Sequence, residues 1–193
     1  MKSVFAAVSA AALLTAAPVW AQAAAHHQSM SSQDQKFVTA AGAANLAEVQ
    51  LGKLAEQKAA NPAVKEFGRW MATDHTLANK RLAAVTGTQQ QPKLTTQQIS
   101  LKQKLQNLNG AQFDRQYVQA MVNSHEKAIK KFTTETQKGQ DQALKSYASN
   151  MLPVLHQHLK EAQKLESASG VVMGSAAHPA ATSGSSMSHY YRH

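Results

Sequence analysis

Four stretches of this chain, each about 25 residues long, repeat apolar residues in steps of three and four, the period of a helix buried along one face. In the first, Phe37, Ala41, Ala44, Glu48, Leu51 and Ala55 line up, after a Ser32–Gln35 pair that reads as a capping box. Asn61-Pro62 supplies an N-cap and a first-turn proline for the second. Its stripe is Val64, Phe67, Met71, His75, Ala78, Leu82 and Val85, closed by Thr86-Gly87-Thr88. A connection of some twenty residues follows, with a short amphipathic helix carrying Leu101, Leu105 and Leu108 and ended by Asn109-Gly110. The third long stripe is Phe113, Tyr117, Met121, His125, Ala128 and Phe132, stopping near Gly139. Asp141 is placed to cap the fourth, which runs through Leu144, Ala148, Met151, Leu155, His158, Ala162 and Leu165. No segment alternates with the period of two that a half-buried strand needs. The expected fold is therefore all-α: a ferritin-like four-helix bundle of two helical hairpins, joined by a long crossover that contains the short extra helix.

The two ends differ from this middle. Lys2, the apolar run Val4 to Ala17 and the small-residue site Ala21-Gln22-Ala23 have the layout of a secretory signal peptide over residues 1–23. The run is too short to span a bilayer, and no second apolar stretch follows it. Residues 24–32 read as a flexible lead, 33–167 as the helical domain, and 168–193 as a disordered Ser/Ala/Gly-rich tail. The expected location is the periplasm, with outer-membrane association as an alternative. With no cysteine, stability in an oxidising compartment has to come from packing. The formal charge is +9 at pH 7, and +8 without the leader, which takes away only Lys2. Such a balance suits anionic envelope components. There is no helix-entering nucleic-acid motif and no basic run interleaved with aromatics, so a nucleic-acid partner is not expected.

Each long stripe also carries one ionisable residue: Glu48, His75, His125 and His158. At about 100° per residue, all four fall within roughly 50° of their stripe centres, and Asp74 lies about 80° away at the edge of its own. His156 and His158 diverge by about 200°, so only one of them can face inward and His156 belongs on the surface. Glu48 and His75 are equidistant from the Asn61-Pro62 turn, and His125 and His158 from the turn at Gly139 to Asp141. At 1.5 Å per residue the pairs lie roughly 20 and 25 Å from turns at opposite ends of a body about 40 Å long. All four therefore meet near mid-height. Two readings stay open on these residues. One is a buried hydrogen-bond network satisfied internally or through water. The other is a transition-metal site (Zn, Cu, Ni or Fe) of Glu48, His75, His125 and His158, with Asp74 supporting a ligand from behind. No Glu-x-x-His occurs, and the set is poor in carboxylates, which argues against a di-iron oxidase. Pro153, inside the fourth helix, predicts a kink that aims His158 inward. Ser124 beside His125 has no acid partner placed by spacing, so an enzyme is the less favoured class. Near the ends, Ala24-Ala25-His26 and Met187, His189 and His193 offer further nitrogen and sulfur donors.

Three segments carry a resemblance. "FVTAAGAANLAEVQLGKLAEQKAANPAVKEFGRWMATDHTLANKRL", "FDRQYVQAMVNSHEKAI" and "LKSYASNMLPVLHQHLKEAQKL" resemble domain-of-unknown-function family 4142, over about Asp34 to Leu165. The resemblance implies a secreted bacterial protein of ferritin-like fold, often labelled a predicted outer-membrane protein, and implies no activity. The expected function is a periplasmic, stress-related binding module with a metal or small ligand at its polar centre. The alternative is a helical interaction module that holds anionic envelope components on its basic surface.

Overall fold

The computed structural model describes residues 30–88 and 91–171. They form five helices in the order α1 (Ser32–Lys58), α2 (Pro62–Thr86), α3 (Thr96–Gln106), α4 (Gly110–Lys138) and α5 (Gln142–Val171), and no strand occurs among them. The expected signal peptide, the lead up to residue 29, residues 172–193 and the terminal histidines lie outside the described residues.

Local signals start and stop these helices much as expected. Asn61 accepts a hydrogen bond from the Ala63 amide at 2.8 Å, with Pro62 in the first turn of α2. Asp141 accepts from the amides of Ala143 and Leu144 at the start of α5. Gly87 ends α2 at φ 64°, a left-handed conformation that suits glycine. Two boundaries move. The cap of α1 is Ser31 rather than Ser32: Ser31 Oγ accepts from the Asp34 amide and donates to the Asp34 carboxylate. At the other end α5 continues through Pro153 and runs to Val171, four residues past the expected limit at Ser167.

The long helices pack in an antiparallel manner throughout. Along α1 and α2, Asn45 meets Asn79 and Gly52 meets Gly68. Along α4 and α5, His125 meets His158 and Phe132 meets Tyr147. Between the hairpins, α1 lies against α4 (Phe37 on Phe132, 5.0 Å between ring centroids) and α2 against α5 (Asp74 on His158). At Gly52 and Gly68 the two backbones almost touch: a β-carbon on Gly52 would stand 2.4 Å from the Gly68 carbonyl oxygen.

Each end of the body is closed by an aspartate from the opposite hairpin. Asp114 of α4 accepts the amides of Ala60 and Asn61 in the α1–α2 turn, at 3.1 and 2.9 Å. Asp34 of α1 accepts those of Gln140 and Asp141 in the α4–α5 turn, at 3.0 and 3.3 Å. Backbone donors that a turn leaves orphaned are thus satisfied across the hairpin interface.

The core is divided. One apolar lobe, with Leu51, Phe67, Met71, Tyr117 and Met121, fills the end nearer the α1–α2 turn. The other, with Phe37, Leu82, Phe132, Tyr147 and Leu155, fills the end nearer the α4–α5 turn. Between them, at mid-height, lies a belt of buried polar side chains.

Candidate metal centre

The belt is built from one or two side chains on each long helix: Asn45 and Glu48 on α1, Asp74 and His75 on α2, His125 on α4 and His158 on α5, all buried. One ring nitrogen from each of His75, His125 and His158 lies within 4.8 Å of the others. The ring centroids form a nearly equilateral triangle with sides of 5.3, 5.4 and 5.6 Å. His156 is exposed, as the 200° argument requires.

The acceptors around the triangle fix where the protons are. His125 Nδ1 sits 2.9 Å from the Met121 carbonyl oxygen, which can only accept, so Nδ1 carries a proton and Nε2 is turned to the other two rings. His158 Nε2 sits 3.0 Å from Asp74 Oδ2, which also takes the Trp70 indole N–H at 2.8 Å. His158 therefore donates from Nε2, leaving Nδ1 bare. The His75 tautomer is set through Asn45. The Tyr147 hydroxyl donates to the Ala78 carbonyl, so its oxygen receives the Asn45 amide group at 3.5 Å. That orientation turns Asn45 Oδ1 to His75 Nδ1 at 2.9 Å, and His75 Nε2 is left bare, buried and without a partner. Burial holds His75 well below the ordinary histidine value, and the neighbouring imidazoles add to the effect. It lowers His158 as well, against the opposing pull of Asp74. Both are neutral at pH 7.

Three imidazole nitrogens consequently face one another, and each ring is oriented from behind by an acceptor: Asn45, the Met121 carbonyl and Asp74. His125 Nε2 and His158 Nδ1 are 3.3 Å apart, within hydrogen-bond reach of each other. Two nitrogens bound at about 2.0–2.1 Å to one tetrahedral ion stand about 3.3–3.4 Å apart. His75 Nε2 is the ring nitrogen left without a donor, and a buried acceptor in that state carries a desolvation cost of about 1–3 kcal/mol.

Glu48 lies beside this triangle and outside it. Its Oε1 accepts the Ser124 hydroxyl at 2.6 Å, while Oε2 is buried with no partner. Burial pushes the carboxyl above its ordinary value, and the nearby His125 and the Ser124 hydrogen bond oppose the shift. The structure thus brings the three histidines to one point, seats Asp74 behind His158 and keeps Glu48 adjacent.

A family model described as a domain of unknown function, DUF4142, matches residues 19–165, more than half of the chain. The chain belongs to this family. No curated protein matches the DUF4142 chain in sequence. Among solved structures it is similar to one described as "putative secreted protein DUF305 from Streptomyces coelicolor", with a TM-score of 0.61 and 14% identity. That likeness covers 72% of this chain and 94% of the other, and at such identity it speaks for the fold.

Several residues of the DUF4142 centre escape a reading of the stripes. Asn45 orients His75, and Trp70 packs edge-on to His158 at 4.6 Å while bonding Asp74. Ser124 does have an acid partner, Glu48, from a different helix and 76 residues away, beyond what intra-helix spacing can place. The pair is no nucleophile–base set: the hydroxyl proton goes to Glu48, and His125 Nδ1, 3.5 Å from Ser124 Oγ, spends its own proton on Met121. Asn45 did leave a signal, lying three residues before Glu48 on the same face of α1.

Proposed function

We propose that this DUF4142 chain is a cell-envelope protein with a ferritin-like four-helix bundle that holds one transition-metal ion between His75, His125 and His158. The observation that carries the reading is the set of three inward imidazole nitrogens within 4.8 Å of one another, each ring fixed from behind, with His75 Nε2 buried and unpartnered. Imidazole donors suit Zn, Cu, Ni or Fe, and outer hydrogen-bond partners on ligating histidines are the rule. Glu48 Oε2 is the adjacent donor available for a fourth position, and a cation there would offset the cost of burying its charge. Secretion is supported by the apolar leader and its Ala21-Gln22-Ala23 site. The role of such a centre is to hold or carry the ion.

The test is metal analysis of protein purified without a histidine tag and equilibrated in turn with Zn(II), Cu(II), Ni(II) and Fe(II). At least one of these is expected at one ion per chain in the wild type and at none in His125→Ala. Asp74→Asn should weaken binding by roughly 10–100-fold. Fluorescence of Trp70, which packs on His158, should be quenched at one equivalent of Cu(II) or Ni(II). Wild-type protein that takes up none of the four ions in stoichiometric amount would overturn the proposal.

A further inference from the structure

A groove of about 950 Å³ runs between α1, α3 and α4, on the outer side of the helices that carry Glu48 and His125. Its floor is made of small residues. Ala120, Ser124 and Ala128 form one row at four-residue spacing on α4, and Ala40 and Ala44 face them from α1, with Leu101 of α3 at the side. Side chains this short leave a trough where leucines would have filled it. Its rim is cationic: Lys36, Lys93, Lys104, Lys127 and Lys131 all line it, and no aspartate or glutamate does. No ion pair joins any of the five to a carboxylate among the described residues, and Lys104 alone is engaged, with Gln116 at 2.7 Å.

The charges are unevenly placed. Phe37 packs on Phe132, which sets their neighbours Lys36 and Lys131 at the same level. Lys127 lies one turn from Lys131, and Lys93 comes in from the segment before α3. These four surround one end of the trough, and Lys104 stands at the other. From Gln116 to Lys131 the trough follows α4 for about 22 Å. The acyl chain of a membrane lipid reaches at least about 15 Å, half of a hydrocarbon core about 30 Å thick, so the trough is long enough to hold one. A methyl-lined floor with a cluster of unpaired lysines at one end matches a hydrocarbon tail with an acidic head. A polyanion would want cations spread along the whole length and gains nothing from the floor.

We propose that this groove binds a single-chain anionic amphiphile, either a fatty acid or a lysophospholipid with an acidic head. The groove shares Ser124 with the polar belt, where its hydroxyl bonds Glu48, but its floor and lysine rim do not include the three histidines. Calorimetric titration of the protein with oleate and with lysophosphatidylglycerol, below their micelle concentrations, should give saturable binding of one molecule per chain. Lysophosphatidylcholine, with its neutral head, should bind roughly tenfold or more weakly. Ala120→Phe fills the floor and should weaken oleate by a similar factor. The exposed pair Lys127→Glu with Lys131→Glu should do so without touching the core, and metal content should stay unchanged in this pair. If lysophosphatidylglycerol favours over oleate, the headgroup source is phospholipid; the reverse order assigns free fatty acid, and both support the site. Absence of saturable binding would overturn the proposal. Heparin or inorganic phosphate displacing oleate at equal affinity would overturn it too, in favour of a plain anion surface.

Discussion

Glu135 is a buried acid that the histidine centre does not use. It is fully enclosed near the α4–α5 turn, with Oε2 accepting from Gln33 at 2.9 Å and Oε1 unpartnered. Burial pushes its carboxyl above the ordinary value; Gln33 opposes that, and Asp34 and Asp141 nearby reinforce it. Asp34 moves the other way. Burial would raise it, but hydrogen bonds from Ser31 and from the Gln140 and Asp141 amides outweigh burial and hold it below its usual value. A carboxyl that stays protonated when folded and ionises when unfolded stabilises the fold fully below its unfolded value of 4.5. That contribution is lost as pH rises through the raised folded value. Glu135→Gln keeps an acceptor for Gln33 and removes the titration. Its melting temperature should gain on the wild type as pH is raised from about 5 to 8, and two parallel curves would refute the assignment. At this scale the sequence was informative where a residue type is conspicuous. Three histidines on apolar faces stand out, and a fixed rise and rotation per residue were enough to predict that they meet. Glu48 fell beside them because the Ser124 hydroxyl, 2.6 Å away on another helix, takes its carboxylate. Asn45 and Ser124 are ordinary polar residues until a partner from another helix gives them a role.

The helices themselves were legible because each sustains its period over many turns, and because Asn61-Pro62, Gly87 and Asp141 punctuate them with residues that fit only certain backbone states. The start of α1 was displaced by one residue for a physical reason. Ser31 and Ser32 can both cap, and the carboxylate of Asp34 selects Ser31 by completing a reciprocal pair with it. The crossing of α1 and α2 was not legible at all. Stripe reasoning weighs side chains, whereas this contact depends on their absence at Gly52 and Gly68. Gly52→Ala places a methyl group against the Gly68 carbonyl and the Ala72 amide, both backbone, which cannot swing aside. The expected loss is about 1–3 kcal/mol, the usual cost of overpacking, read as a lower urea midpoint. An unchanged midpoint would mean that the helices part freely at this point. Separation of α1 from α2 there would also shift His75 relative to its Asn45 acceptor, so metal affinity should fall with stability.

For the molecule as a whole, the order of helices along the chain could be anticipated from the lengths of the connections, but the way the two hairpins hold each other could not. Asp34 sits in the first turn of α1 and Asp114 in the second turn of α4, near helix starts where an acid is unremarkable, and only the fold brings each of them to the other hairpin's turn. Replacing either by alanine strands two backbone amides, at about 1–3 kcal/mol for each that stays buried. The two sites lie some 39 Å apart along α4, so the losses should add to within about 0.5 kcal/mol in the double variant. A wild-type urea midpoint for Asp114→Ala would refute the role given to it. The same reciprocity has a consequence for the covalent chain. Each half of the polypeptide carries the missing stopper for the other, at opposite ends, and each supplies part of the histidine triangle. Severing the backbone between α2 and α3 would therefore leave two fragments with every reason to find one another again, and the connector serves them as a tether, not as a guide.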